Sequence, residues 1–499
     1  MSLRKTAFRG SLVLTLGEGV NYGCSFVRNM ILARILTKAD FGIGASFALI
    51  MMLLEFSSRL GVARFVVQDK DGDSPEFLAT AHMVQFFASA ISSLLLAVAA
   101  WPMALLLGIE DQIGAVLVLA VIPLFHGVYH LDTRRFERGL RFVPSAIVDA
   151  IPQVIITLLA WPIGVWLADY RAVLLLMVTK ALLSWGASHV MAEQRYRWRF
   201  HKEYALRMLR FGWPLVVNGF VLFFVMRGDQ FIVASFYLMD DFGAYAAAAA
   251  LTMAPMFFFR RVFASVMLPL MARAQDDPVV FNRRYNLIIA IVCVFTTGCT
   301  VTIIAGAESL MQLVFGKKYV GSGFLLAWLT AVNAFRSVRL APSISAIAKG
   351  DSVNQMISNL GAGAGLVPAL TVAAMGLPIW TIPCAGLAGE LSGCLISFLR
   401  LKRRDGVPML RSVWPTTLVG ASVGLAGAAY VYRPHGMHPC LELGLAVCGG
   451  VLLSTLVAFT LSASRHEAFR VLSHCRAMGW RGCLHAIRKW LPLRKLDAS

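Results

Sequence analysis

The sequence predicts an all-α, polytopic membrane protein, and three observations carry that reading. Of 499 residues, 58% are hydrophobic and only 15% are charged, against about 25% charged in a typical soluble domain. The mean hydropathy is +0.69. The apolar residues gather into runs of roughly 20, the length a helix needs to cross hydrocarbon. A soluble chain of this size needs polar surface for several domains, and this one lacks it. The composition excludes a cytosolic enzyme, a secreted disulfide scaffold and a disordered chain.

About fourteen spans follow in order, at roughly 11–33, 41–62, 77–99, 112–131, 143–167, 171–191, 212–237, 242–268, 285–306, 323–346, 355–376, 377–399, 413–432 and 440–463. Gly376, Pro378 and Pro383 are the only punctuation between the eleventh and twelfth. Pro123, Pro152, Pro255 and Pro269 are expected at kinks or helix ends. Arg4, Lys5 and Arg9 precede the first run, and no small-residue cleavage pattern follows it, so no cleavable signal peptide is expected. With the N-terminus placed in the cytoplasm and the spans alternating, the inside segments hold most of the 46 Lys and Arg. That asymmetry is the one membrane insertion imposes, and it puts both termini in the cytoplasm. It also accounts for the net charge of +19 without nucleic acid as a partner. Two inside loops stand out, one with Arg134, Arg135, Arg138 and Arg141, the other with Arg195, Arg197, Arg199, Lys202, Arg207 and Arg210. The tail after Ser464 is basic, and Trp480, Leu484, Ile487 and Leu491 fall at helical spacing, which predicts an amphipathic helix on the inner leaflet.

An internal repeat organises the chain. ILARILTKADFGIGA at 31–45 matches IVASFYLMDDFGAYA at 232–246 through Ile31/Ile232, Ala33/Ala234, Asp40/Asp241, Phe41/Phe242, Gly42/Gly243 and Ala45/Ala246. Both copies sit at the outside turn between the first two helices of a six-helix unit. Six is even, so both halves enter the membrane the same way, as parallel repeats do. The expected architecture is two pseudo-symmetric six-helix bundles, 1–200 and 201–405, two additional helices within 406–463, and a basic cytoplasmic tail, 464–499.

Ionisable groups inside a span cost about 2.5–3.5 kcal/mol each on insertion scales and usually face a bundle interior or a wet cavity. Glu18, Asn21, Ser25 and Arg28 form one stripe on the first helix; it lines a cavity or pairs with a neighbouring helix. Glu55 and Arg59 are four apart and able to pair. The seventh span carries Asn218, Arg227 and Asp229, the eighth Arg260 and Arg261, the tenth Arg336 and Arg339. The repeat offset places Arg59 opposite Arg260. Snorkelling to the inner headgroups fits Arg59, near its helix end. It fits Arg260 and Arg261 less well, because the apolar run VFASVMLPL follows them. As a set the arginines favour a cationic vestibule open to the cytoplasm, since a guanidinium fork suits phosphate oxygens. Asp149 and Lys180 read as a neutralising pair. Glu390 is a lone acid in its span and, with Glu18, Glu55 and Asp229, a candidate for ion coupling.

Other motifs carry less. Asp69-Lys70-Asp71-Gly72-Asp73 resembles the start of a calcium loop, but its glycine is misplaced and Thr80 stands where the closing glutamate belongs. His435, His438 and Cys440 lack a fourth ligand. Nine cysteines lie mostly in apolar runs with no C-x-x-C. No metal and no cofactor are expected. A membrane enzyme usually needs a large outside loop with catalytic groups; the longest here, around 100–111 and 307–322, are only about 12–17 residues and show no paired-acid or nucleophile constellation. A drug or cation antiporter would place acids in its cavity, against the excess of arginine.

The polar first helix, the run LARILTKADFGIGASFALI and the continuation EFSSRLGVARFVVQDKD resemble the polysaccharide transporter (Wzx-like) oligosaccharide flippases of the multidrug/oligosaccharidyl-lipid/polysaccharide superfamily. The stretch 9–80 carries the specific likeness; the rest agrees in helix count and repeat. The resemblance implies a protein of the bacterial inner membrane that moves undecaprenyl-diphosphate-linked oligosaccharide to the outer leaflet for surface or exopolysaccharide synthesis. It implies a cationic cavity, which Arg28, Arg59, Arg227, Arg260 and Arg261 fit, and two extra helices that cradle the polyprenyl tail. A polysaccharide polymerase or co-polymerase is an expected partner on that ground alone. A peptidoglycan-precursor lipid flippase shares the mechanism and differs mainly in substrate.

Overall fold

The computed structural model describes residues 3–58, 61–434 and 437–461, the side chains of 3–15, 57–58 and 257–258 excepted. Arg59, His435 and the tail expected to form an interfacial helix lie outside the described residues. No strand occurs among the described residues. The helices are α1 (Leu3–Ile35), α2 (Lys38–Ser58), α3 (Val62–Gln68), α4 (Pro75–Leu106), α5 (Ile113–Leu119), α6 (Val121–Gly127), α7 (Asp132–Arg138), α8 (Val143–Leu167), α9 (Arg171–Val190), α10 (Lys202–Phe236), α11 (Met239–Ala272), α12 (Pro278–Ala305), α13 (Ala307–Phe315), α14 (Gly323–Val338), α15 (Leu340–Ala348), α16 (Ser352–Gly363), α17 (Leu366–Ala374), α18 (Thr381–Asp405), α19 (Leu410–Val431) and α20 (Pro439–Thr460).

Eleven stretches among the described residues are long and apolar enough to cross a membrane. The expected spans outside that set are α1, the α14–α15 pair and α19, all helical and consistent with a count of fourteen. α1 carries the polar stripe, α14 is short, and Thr, Ser and Gly dilute the apolar run of α19.

Three spans are broken for one reason. A proline ring clashes with the carbonyl four residues upstream and removes a helix hydrogen bond. Pro123, Pro342 and Pro368 stand four residues after Leu119, Val338 and Ala364. α5, α14 and α16 end at Leu119, Val338 and Gly363. Of the four prolines expected to kink or end helices, only Pro123 marks a break; Pro152, Pro255 and Pro269 lie within the unbroken α8 and α11. Between the eleventh and twelfth spans Gly376 takes φ 66°, and the amides of Gly376 and Leu377 bond back to the Ala373 and Val372 carbonyls. A residue with a Cβ resists that left-handed turn, so glycine ends α17 there.

The described chain packs as two compact units. The first takes residues up to 258, with 310–329 and 362–389; the second takes 259–309, 330–361 and the described residues from 390 onward. The division runs through α11 and α18, so a boundary at 200/201 rests on the sequence repeat alone.

In the first unit α1 packs on α8, α2 on α10 and α4 on α6. Val62, Phe65 and Val66 of α3 join Phe77, Leu78, Leu131 and Met208 in one buried cluster, with the Phe65 and Phe211 rings 4.9 Å apart. The repeat meets itself here. A Cβ on Gly42 would lie 2.3 Å from the Met239 carbonyl oxygen and 3.1 Å from the Gly243 nitrogen. A Cβ on Gly243 would lie 2.0 Å from the Lys38 carbonyl oxygen and 3.2 Å from the Gly42 nitrogen. Lys38 and Met239 are themselves repeat mates, so the contact is reciprocal, as a two-fold relation demands. In the second unit α12 packs against α19 and α20. A Cβ on Gly450 would meet the Gly298 carbonyl oxygen at 2.7 Å; small residues allow such close helix approach in membranes.

Candidate functional site

In the second unit the structure brings Arg336, Arg339 and Glu390 together. Arg336 Nε donates to Glu390 Oε1 at 2.6 Å, and Arg339 Nη2 lies 3.1 Å from Glu390 Oε2. Only 3% of the Glu390 side chain is exposed, against 16% for Arg336 and 9% for Arg339. Arg339 Nη1 also donates to Asn359 Oδ1 at 2.6 Å and Ser358 Oγ at 3.3 Å. Arg260 lies within electrostatic reach of all three ionised groups. Helix spacing explains the convergence. Arg336 and Arg339 are three apart at the broken end of α14, so both can reach the face that α18 offers. Two guanidiniums bridge one carboxylate and a third lies within electrostatic reach, which leaves a net positive charge where Glu390 and Arg339 are buried and Arg260 and Arg336 half-buried. Glu390, a lone acid in the linear sequence, is bridged by arginine here. Arg261, one position further round α11, is exposed.

The first unit holds the remaining candidates. Glu18, Asn21, Ser25 and Arg28 are all half-buried on α1, while Leu16, Val20, Tyr22 and Val27 are exposed. The polar stripe is thus the less exposed face of a helix seated on α8. Thr157 of α8 donates to the Cys24 carbonyl at 3.1 Å. Arg28 Nη2 donates to Asn29 Oδ1 at 3.2 Å. On α10, Arg227 Nη1 is 3.1 Å from the Met253 sulfur, and Asp229 Oδ2 accepts from the buried Tyr245 hydroxyl at 2.9 Å. Glu55 is exposed on α2. Asn359, Ser358 and Tyr245 are site neighbours that a search for charges alone does not find.

The arginine loops are a clamp within the first unit. Arg207 bonds Asp69 at 3.1 Å and Asp71 at 2.6 Å, and Arg138 bonds Asp73 at 3.0 Å and the Val67 and Lys70 carbonyls at 3.2 Å. The acids of the calcium-like run therefore face guanidiniums, and no metal-holding group of His, Cys, Asp and Glu occurs among the described residues. The Arg207 hydrogen bond holds the Asp71 carboxyl below its ordinary range. His438, from the other weak motif, caps α20 by accepting from the Cys440 amide at 3.3 Å.

The segment 192–200 between α9 and α10 is strapped onto the same unit. Asp132 accepts from the Glu193 and Gln194 amides at 2.7 and 3.0 Å and from Arg135 at 2.6 Å. Burial pushes its carboxyl up, but those donors outweigh burial and hold it low. Tyr196 lies among three imidazoles, with ring centroids 4.2 Å from His82, 5.4 Å from His130 and 5.3 Å from His189. His82 Nε2 accepts from the Leu131 amide and His130 Nδ1 from the Asp132 amide, both at 3.1 Å. These bonds require neutral rings.

Comparison with known proteins follows the same lines. Residues 31–323 match the family model described as "Polysaccharide biosynthesis protein". The chain is 25% identical over 328 residues to the succinoglycan biosynthesis transport protein ExoT of Rhizobium meliloti (strain 1021), covering 63% of this chain and 64% of that one. It is 21% identical over 350 residues to the lipopolysaccharide biosynthesis protein WzxC of Escherichia coli (strain K12), covering 68% and 69%. The fold is similar to the inward closed conformation of the lipid II flippase MurJ, with TM-score 0.69, 12% identity, and 91% of this chain and 98% of that one covered. It is also similar to an inward-facing multidrug resistance MATE family transporter, with TM-score 0.54, 12% identity, and 81% and 95% covered.

Proposed function

This chain belongs to the polysaccharide biosynthesis protein family, within the multidrug/oligosaccharidyl-lipid/polysaccharide superfamily, and on that premise we propose that it flips undecaprenyl-diphosphate-linked oligosaccharide from the cytoplasmic to the outer leaflet of the bacterial inner membrane. The observation that carries the reading is the buried excess of guanidinium around Glu390. Sugars and a diphosphate cannot cross hydrocarbon unaided, because each unpaired polar group costs kilocalories. Fixed guanidiniums replace the hydration of the diphosphate. Arg260, Arg336 and Arg339 take that role in the second unit; in the first unit Asn21, Arg28 and Arg227 are the candidate cargo contacts. Glu390 supplies the counter-charge that keeps the arginines ordered before cargo arrives. An inside-negative potential of 100 mV favours outward movement by about 2.3 kcal/mol per negative charge. Alternating access follows from two repeat halves that rock against each other.

A cation-coupled drug antiporter fits less well, because the buried acid is already bridged by two arginines. The test is a flipping assay in proteoliposomes with labelled undecaprenyl-diphosphate oligosaccharide. Wild type is expected to flip it. Arg260→Ala is expected to lose about tenfold or more, the worth of one charge-assisted contact, with Arg260→Lys in between. Equal flipping by all three removes Arg260 from the path, and no flipping by folded wild type removes the cargo assignment.

A further inference from the structure

Between α16 and α18, within the second unit, an open cavity of about 370 Å³ is lined by Ile357, Ile396, Leu399, Arg400, Arg403 and Arg404. The α18 residues recur at three and four, so they share one face, apolar at 396 and 399 and cationic at 400, 403 and 404. Asp351, buried at the start of α16, accepts from Arg400 Nε at 2.8 Å and Nη2 at 3.0 Å, and from Arg404 Nη1 at 3.1 Å. That carboxylate fixes two guanidiniums at the rim, and Arg403 adds an exposed third. The neighbouring acid, Asp405, is faced by Lys349 at 3.8 Å. One carboxylate against three guanidiniums leaves the rim cationic. Met356 and Leu360 on α16 and Leu391 and Leu395 on α18 are exposed apolar side chains of the same two helices. Glu390 lies about 15 Å along α18 from Arg400 and about 9 Å from Ile396, and none of Arg260, Arg336, Arg339 and Glu390 lines this cavity.

We propose that this cavity is a headgroup site for an anionic phospholipid of the inner leaflet, its phosphate held by Arg400, Arg403 and Arg404 and an acyl chain laid on Ile357, Ile396 and Leu399. Forked donors suit phosphate oxygens. Basic pockets between spanning helices on the cytoplasmic side take anionic headgroups, and charge counting puts the Lys402-Arg403-Arg404 end of α18 on that side. A soluble phosphate has no use for the apolar floor; a lipid needs both parts. The site does not depend on which cargo the protein moves.

The test uses the full chain in phosphatidylcholine nanodiscs doped with a diazirine-tailed phosphatidylglycerol, irradiated and mapped by mass spectrometry. Labelling is expected within 391–400 and is expected to be displaced by unlabelled phosphatidylglycerol. The Arg403→Gln/Arg404→Gln variant, which keeps the Arg400–Asp351 pair, is expected to lose it about tenfold. Arg403→Lys/Arg404→Lys is expected to retain most of it. If the double glutamine variant melts early, Arg403→Gln alone gives the same readout from an exposed position. Equal labelling by diazirine-tailed phosphatidylcholine, or undiminished labelling of the glutamine variants, overturns the proposal. So does displacement by farnesyl diphosphate at lower concentration than phosphatidylglycerol, which marks a polyprenyl-diphosphate site instead.

Discussion

Glu390 shows how neighbours set the chemistry of a side chain. In sequence it is an acid in an apolar run, open to a proton or a cation. In the fold two guanidiniums at 2.6 and 3.1 Å claim both its oxygens. Glu390→Gln removes the negative charge that faces the half-buried Arg336 and the buried Arg339. Removing one partner of a buried pair costs about 3–5 kcal/mol, whereas replacing both with apolar groups is often close to neutral. The single variant is therefore expected to melt well below the joint Arg336→Met/Arg339→Met/Glu390→Met variant, measured by thermal unfolding of the purified protein. Equal losses would assign the cost to packing rather than charge. The ionisable positions were legible, since each stands out against an apolar run. The pairing was not, because spacing reports contacts only within one helix, and Arg336 and Glu390 lie 54 residues apart.

At the scale of elements, the repeat turns and the histidine-held strap make separate predictions. Gly42 and Gly243 face each other's backbone, which cannot step aside as a side chain can. Gly42→Ala or Gly243→Ala is expected to cost about 1–3 kcal/mol, the usual range for overpacking. Gly23→Ala on α1, with no neighbour within 4 Å, is expected to be neutral or to gain by up to about 1 kcal/mol from helix propensity. Thermal melting of the three variants decides, and a Gly23-like result at Gly42 would falsify the reciprocal contact. The strap is expected to loosen in acid. Burial lowers the pKa of His130, Asp132 opposes that shift, and His189 adds to it. A lowered histidine contributes stability that is fully present above its unfolded pKa of about 6.5 and is lost as pH falls through the folded value. The groups facing it are His82, His189, Tyr196 and Asp132, with Arg135 and Glu193 beside them. Asp132 is held low and stays ionised in that range. Hydrogen exchange at 192–200, corrected for its intrinsic rate, should therefore accelerate below about pH 6.5. A flat profile would show that the rings do not hold the strap.

At the scale of the molecule, orientation rests on the distribution of positive charge. Reporter fusions after Arg195 and after Lys402 are expected to report the cytoplasm, and one after Gly108 the outside. A fusion map that puts 195 outside overturns that orientation, and with it the proposed cytoplasmic vestibule and the inner-leaflet placing of the phospholipid cavity. The arginine loops serve two ends at once. Their charge is expected to retain them on the cytoplasmic side during insertion, and Asp69, Asp71, Asp73 and Asp132 tie them into a clamp. Exposed pairs of this kind add little stability singly; the network orders the loops.

The sequence by itself determined the membrane class, the apolar runs and the repeat, because transfer free energy and helical periodicity are local and additive along a chain; the family came from the resemblance carried by residues 9–80. It also held the cause of the broken spans, a proline four residues past Leu119, Val338 and Ala364. Only the tertiary structure decided which charges meet. It bridged Glu390 with Arg336 and Arg339, seated Gly42 on Gly243, closed three imidazoles around Tyr196 and set three arginines over an apolar floor. Those contacts join residues far apart in the chain, and their energies fall off within a few ångströms. No pattern read along one helix can supply that distance.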